Sequence, residues 1–164
     1  MALFLDLITN PVILAATGSW MVTQIMKFFI SWIAEGKPDF HRLYGDGGMP
    51  SGHSATVVCT ATMVGYTCGF ASAAFGVAFI LAIIVMHDAT GVRREAGKQA
   101  SAILDILASL ATVNDVIFER DSIARHQKLK TMVGHTPLQV FFGAILGLVF
   151  AAAYIWIAGI PYGA

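Results

Sequence analysis

GGMPSGHSA, residues 47–55, is the stretch around which the organisation of this chain can be derived. Its successive small residues allow backbone N–H groups to converge on one anionic oxygen, and the N-terminus of a following helix adds the positive end of its dipole. His53 adds an imidazole whose charge changes near neutral pH. The stretch therefore suits chemistry on a phosphate group, although Met-Pro-Ser-Gly is also an ordinary turn sequence.

The composition is that of a small integral membrane protein. Of its 164 residues, 57% are hydrophobic and 12% are charged, and the mean hydropathy is +0.72. Soluble domains carry about 25% charged residues. The formal net charge is zero, so charge indicates no nucleic-acid partner. We predict one membrane-embedded domain over residues 1–164, with membrane lipids as its partners.

Apolar segments of spanning length predict about four transmembrane helices. A bilayer core of about 30 Å requires roughly 20 helical residues. Four segments approach this length: residues 11–34, 54–70, 72–90 and 137–159. The second segment is short and contains Gly65 and Gly69, so it is the weakest of the four predictions. The residues before the first segment lack the basic region of a secretory signal peptide, so we expect that segment to be retained.

The polar segment between the third and fourth spans contains a candidate amphipathic helix. Its apolar residues recur at helical spacing, with Lys98, Asp105 and Asn114 between or beside them. They are Ala102, Ile103, Ile106, Leu107, Leu110 and Val113. This pattern predicts a helix that lies on the membrane or closes over the bundle, and residues 115–130 predict a solvated helix. The predicted fold is therefore all-α, a membrane bundle of about four spans plus an amphipathic interfacial helix.

The basic residues indicate how the chain is oriented in the membrane. With four spans, all ten lie on one side of the bilayer or at the nearby end of the first span. They are Lys27, Lys37, Arg42, Arg93, Arg94, Lys98, Arg120, Arg125, Lys128 and Lys130. The positive-inside rule places this side, and the loop that contains residues 47–55, in the cytoplasm.

A second polar cluster, residues 87–98, follows the third span. Asp88 near the end of an apolar helix is costly unless it is paired or close to water. Arg93 and Arg94 lie little more than one helical turn beyond it, and their forked guanidinium groups can bind a phosphate. An equally open interpretation is that the arginines anchor the helix at the interface and pair with Asp88.

A third cluster, GHTPLQV at residues 134–140, opens the last span. Pro137 is typical of the first turn of a helix, so His135 is predicted to lie just before the helix N-terminus. Gln139 follows one turn later, where its amide can hydrogen-bond the imidazole. A single histidine at a helix start is commonly a capping or interfacial residue. Here, however, His53 and His135 both precede spans that begin at the same membrane face.

These clusters resemble the type 2 phosphatidic acid phosphatase superfamily, which also includes the vanadium haloperoxidases. PSGH at residues 50–53 matches its central motif, and HTPLQVFFG at residues 135–143 is similar to its third motif, His-x-x-x-Asp-Val-x-x-Gly. Together with residues 88–94, the blocks resemble the divergent branch of small bacterial and plant members. The likeness covers most of the chain from about residue 15 onward.

The resemblance implies a membrane phosphatase that hydrolyses a lipid phosphate or diphosphate through a phosphohistidine. His135 would attack phosphorus, and His53 would protonate the leaving oxygen and then activate water. Ser51 and the backbone N–H of Gly52 would hold the non-bridging oxygens. Gln139 would orient His135, and the scheme needs neither a metal nor a cofactor.

The chain departs from the family pattern in its anion clamp. The family's first motif has a lysine, six residues and then Arg-Pro, whereas Lys37 and Arg42 are closer together and no proline follows. The family's Ser-Arg pair before the third motif would fall on residues 128–129, which are Lys and Leu. We therefore predict that other cations form the substrate-binding clamp, and that Asp88 lies beside them. These cations are Lys37, Arg42, Arg93 and Arg94.

Two alternative functions stay open at this point. The neutral amide of Gln139 stabilises an imidazolium less than the family's aspartate does, so the chain could be a weak or inactive lipid-phosphate-binding scaffold. A metal-dependent hydrolase would use His53, His87, Asp88 and His135 as ligands, but no motif spacing supports it.

The predicted location is the inner membrane of a bacterium, with the site loops facing the cytoplasm. Many bacterial relatives act on the outer face, so this placement follows the charge count and not the resemblance. The sequence leaves open which lipid is the substrate and whether the chain forms a homo-oligomer.

Overall fold

The computed structural model of the chain describes residues 1–38, 40, 48–113 and 135–163. In these ranges the secondary structure is helical, which confirms the all-α prediction. The helices are α1 (Ala2–Ile8), α2 (Pro11–Glu35), α3 (Gly52–Cys68), α4 (Ala73–Thr90), α5 (Val92–Val113) and α6 (Pro137–Ala158). Each predicted span agrees with a helix to within about two residues at either end, which is the usual uncertainty of helix boundaries.

The apolar helices form a membrane bundle. Among the described residues, three helical runs are long and apolar enough to cross a bilayer: Pro11–Glu35, Ala73–Ile106 (which joins α4 to α5) and Pro137–Ala158. Helix α3 has 17 residues, which corresponds to roughly 25 Å and lies at the short end of the spanning range. This short length agrees with the sequence analysis, in which the second segment is the least certain span because it is short.

Helix α3 lies at the centre of the bundle, and α2, α4 and α6 all pack against it. Its buried residues are small or flexible: Gly52, Ser54, Ala55, Cys59, Ala61, Met63, Gly65 and Thr67. Association of helices in lipid depends on close packing, because the lipid chains are as apolar as the side chains. Small side chains on several sides of α3 therefore allow three neighbouring helices to approach its backbone.

The closest of these contacts joins α3 to α6. A Cβ atom added at Gly143 would overlap the carbonyl oxygen of Ser51, and one added at Gly147 would overlap the carbonyl oxygen of Ala55. Ala151, one turn further along α6, is fully buried. Small residues at a spacing of four thus form the face of α6 that receives α3, as expected from the Gly143–Gly147 pair.

Helix α5 begins directly after Gly91 and confirms a helix over the predicted amphipathic segment, which it extends by about ten residues toward the N-terminus. Ile103 and Ile106 are exposed along it, and Lys98 forms an exposed ion pair with Glu95 at 2.6 Å. Its location on a membrane surface stays a prediction. Residues 114–134, which include the predicted solvated helix 115–130, lie outside the described residues.

The α3–α6 contact yields a test of the packing. Gly147→Ala adds a methyl group against the backbone of α3, which cannot move aside as a side chain can. Overpacking of this kind costs about 1–3 kcal/mol, so we expect a lower unfolding temperature of the purified protein in detergent.

Gly76→Ala is the matched control, because nothing lies within 4 Å of a Cβ added at Gly76 on α4. We expect its unfolding temperature to equal or exceed that of the unmodified protein, since alanine favours helix more than glycine does. Equal unfolding temperatures for both variants would contradict the close approach of α3 and α6.

Candidate functional site

The PSGH loop begins α3 and is bonded to the first turn of α6. Ser51 is the N-cap of α3, and its Oγ accepts from the backbone N–H of Ser54 at 3.4 Å and from the Ser54 hydroxyl at 3.1 Å. The backbone N–H of Ser51 donates to the carbonyl oxygen of Gln139 at 3.0 Å. Because the first N–H groups of a helix lack partners within it, this loop presents N–H donors close to the start of α6.

His135 lies where the C-terminal end of α4 meets the N-terminal end of α6. Its backbone N–H donates to the carbonyl oxygen of Ala89, in the last turn of α4, at 2.8 Å. Thr136 is the N-cap of α6 and Pro137 is its first residue, so the predicted position just before the helix is confirmed. Only 3% of His135 is exposed, which indicates that its ring is held in a defined environment.

The side chain of Gln139 orients the imidazole of His135. Its Oε1 accepts from the backbone N–H of Thr136 at 3.0 Å, and the backbone N–H of Gln139 donates to Thr136 Oγ1 at 3.3 Å. This capping box identifies the atom that faces His135 as the amide oxygen. His135 Nδ1 lies 3.3 Å from the same oxygen and must carry a proton, since a carbonyl oxygen only accepts. The lone pair of the neutral ring is then on Nε2.

The two motif histidines are neighbours. The ring centroids of His53 and His135 are 5.9 Å apart, and the rings are inclined at 61°. His53 is half-buried in the first turn of α3. A small group bound at one imidazole is therefore within reach of the other, as two-step transfer between a nucleophile and an acid–base group requires.

Lys27 is a candidate site residue that the motifs do not point to. By sequence alone it is one of the ten basic residues that indicate orientation. In the structure it lies on α2 with 5% of its surface exposed, and its Nζ is 3.6 Å from the position of a Cβ built on Gly52. An ionisable residue inside an apolar span is by itself a signal of function, and that signal was available at Lys27.

The predicted anion clamp is only partly described. Lys37 is exposed and follows Gly36, whose backbone (φ 69°) ends α2. Arg42 lies outside the described residues. Arg93 and Arg94 belong to the first turn of α5, but their side chains lie outside the described part of the structure. Asp88 is half-buried and adjoins Ala89, the residue that binds the backbone of His135.

The metal hypothesis finds no support in the described ranges. There, no group of three or more His, Cys, Asp or Glu side chains is placed to hold a metal ion. His53, His87, Asp88 and His135 all fall within these ranges, and His87 is exposed.

Comparisons with known proteins agree with the motifs. The Divergent PAP2 family matches residues 8–150. An uncharacterized membrane protein of Bacillus subtilis, YuiD, is 36% identical over 147 residues, which cover 88% of this chain and 93% of the relative. No solved structure matches the chain. The matched range and the motif blocks within it show that the chain belongs to the divergent branch of the type 2 phosphatidic acid phosphatase family.

Proposed function

We propose that this protein is a membrane phosphatase that hydrolyses a lipid phosphate or diphosphate through a phosphohistidine at His135. The observation that carries the proposal is the orientation of the His135 ring. Gln139 Oε1 accepts from Thr136 N–H and from His135 Nδ1, which directs the lone pair of the neutral ring to Nε2, the atom that would attack phosphorus.

The reaction proceeds in two displacements. His135 Nε2 forms a bond to phosphorus while the bond from phosphorus to the lipid oxygen breaks, and His53 donates its proton to that oxygen. His53 then accepts a proton from water, whose oxygen bonds to phosphorus as the P–N bond breaks. Inorganic phosphate leaves, and both imidazoles return to their initial protonation states.

Positive charge for the transferring phosphoryl group comes from Lys27 and the start of α3. The ammonium lies beside Gly52, where the backbone N–H groups and the positive end of the helix dipole are directed. Ser51 Oγ accepts from Ser54, which leaves its own hydroxyl proton free to donate. Such fixed donors act strongly where water is excluded.

We further propose that the site faces the cytoplasm, where the inner-leaflet headgroups lie. The ten basic residues support this orientation, and an interfacial site lets the apolar chain of the substrate stay in the bilayer. The predicted clamp of Lys37, Arg42, Arg93 and Arg94 would supply additional charge on the same side.

A second candidate is a lipid-phosphate-binding protein without turnover. The observation that favours it is Gln139, since an amide holds the neutral ring but stabilises a developing imidazolium less than a carboxylate does. The same cations would bind the phosphate in either case.

Removal of the histidines tests the catalytic assignment. We expect His135→Ala to abolish phosphate release in detergent, because no nucleophile remains, and His53→Ala to lower it by about 10²- to 10⁴-fold. The assay uses phosphatidic acid, phosphatidylglycerophosphate and prenyl diphosphates.

His87→Ala is the control for these variants, because His87 is an exposed histidine on α4. We expect it to retain full activity. Full activity in His135→Ala would refute the nucleophile assignment. If the unmodified protein binds phosphorylated lipid but releases no phosphate from any of these substrates, the second candidate is correct.

The position of Lys27 predicts that its substitution lowers kcat/KM much more than substitution of Lys37 does. Lys27→Met retains the aliphatic stem and removes the charge beside Gly52, so we expect kcat/KM to fall by about 10²- to 10³-fold. The exposed Lys37 is the matched comparison, and Lys37→Met should change kcat/KM only a few-fold. A larger loss in Lys37→Met would show that the clamp, and not Lys27, carries the phosphate.

The dual contacts of Gln139 predict a change in the pH profile of Gln139→Glu. Glutamate has the same shape and can retain the capping box, but its carboxylate beside Nδ1 favours the protonated imidazole. Because protonated Nε2 cannot attack, we expect the acid limb of the pH–rate profile to move to higher pH. The plateau rate should rise, since the carboxylate stabilises the developing imidazolium. An unchanged profile would mean that Gln139 only caps α6.

A further inference from the structure

An apolar groove of about 450 Å³ lies between α2 and α6, beside the start of α3. Met26 and Ile30 form its wall on α2, Pro50 closes one part of it, and α6 contributes residues that include Ile145 and Val149. Its lining residues all have apolar side chains. Since α2 and α6 have the length and composition of membrane spans, a groove between them would face hydrocarbon in a bilayer.

The groove lies next to the phosphate site. Pro50, in its wall, directly precedes Ser51, the N-cap of α3. Met26, also in its wall, directly precedes Lys27, whose ammonium lies beside Gly52. A molecule in the groove would therefore have one end next to the cation and the N–H donors that receive a phosphate.

The groove runs along α6, in the direction in which the chain of a membrane lipid extends from its headgroup. Helix α6 starts next to His135 and crosses toward the opposite face of the bundle, and its groove residues extend from Phe142 to Val149. Seven residues of helix correspond to roughly 10 Å along the axis. The groove thus leads from the headgroup level of the site into the hydrocarbon region, as the chain of a lipid does.

We propose that this groove binds the hydrocarbon chain of the lipid whose phosphate occupies the histidine site; the identity of that lipid as a substrate rests on the proposed function. A lipid chain gains little hydrophobic free energy by moving from bilayer to protein. The groove therefore acts by shape and position. It holds the lipid so that phosphorus lies at His135 Nε2, and it selects lipid phosphates over phosphate compounds without a chain.

Two other grooves in the described part of the structure fit this role less well. The groove between α2 and α3 is lined in part by Ile13, Thr56 and Thr60. Trp20, which also lines it, lies 3.6 Å from the position of a Cβ built on Gly52, but the lining of this groove contains no residue of the PSGH loop. A groove on α4, from Ala73 to Ile84, includes no residue of the PSGH loop.

The first experiment compares Ile145→Trp with Ile13→Trp. The two isoleucines are both 41% exposed. Ile145 lines the α2–α6 groove and Ile13 lines the α2–α3 groove, so each substitution fills one groove and leaves the other unchanged. The measurement is the rate on dioleoyl phosphatidic acid divided by the rate on phenyl phosphate, which has no long chain. We expect the ratio to fall at least tenfold in Ile145→Trp and to stay within twofold in Ile13→Trp. Equal ratios, or a larger loss in Ile13→Trp, would overturn the proposal.

The second experiment does not depend on turnover. A phosphatidic acid with a diazirine in one acyl chain is photolysed with the unmodified protein, and the labelled peptides are identified by mass spectrometry. We expect labels on α6 near residues 145–149 and on α2 near residues 26–30, reduced by excess phosphatidic acid but not by excess diacylglycerol. Labels elsewhere, or labels that both lipids reduce equally, would show that bulk lipid fills the groove and would overturn the proposal.

The two experiments separate the groove from the catalytic proposal. Phosphate-dependent labelling of the groove without phosphate release would retain the binding site and reject the phosphatase. Phosphate release without labelling of the groove would reject the groove and retain the phosphatase.

Discussion

The contact between the glycine face of α6 and the backbone of α3 is the constraint on which the site depends. Gly143 leaves room for the carbonyl oxygen of Ser51, and the adjacent turn of α6 accepts the Ser51 N–H through Gln139. Any side chain at Gly143 would separate the two helix starts. The 5.9 Å between the rings of His53 and His135 is therefore a consequence of helix packing, since small residues let backbones approach closely in lipid.

The amide of Gln139 links the stability of α6 to the chemistry of the site. One oxygen accepts from the cap of the helix and from the ring of His135, so the helix start is formed by the same contacts that choose the imidazole tautomer. A carboxylate at this position would make these contacts and add charge. Gln139 thus makes the contacts of a helix cap and of a ring partner without the negative charge of the aspartate in the motif that this stretch resembles.

A polar stripe on α2 brings charge into the bundle. Ser19, Thr23 and Lys27 recur every four residues, so they lie on one face of the helix, and all three are buried. The Thr23 hydroxyl donates to the backbone carbonyl oxygen of Ser19 at 2.7 Å, which satisfies it within the helix. Lys27 ends the stripe beside Gly52, at the level where a bound phosphate would offset part of the cost of its burial.

The sequence by itself determined the four apolar helices, their approximate bounds and the position of His135 before α6, because apolar length and capping residues act locally. It also identified the family, through three motif blocks in order. Only the tertiary structure decided that α3 is central, that Lys27 belongs to the site and that the α2–α6 groove reaches Pro50. Those features depend on how helices rotate and cross, which side-chain packing between distant segments sets.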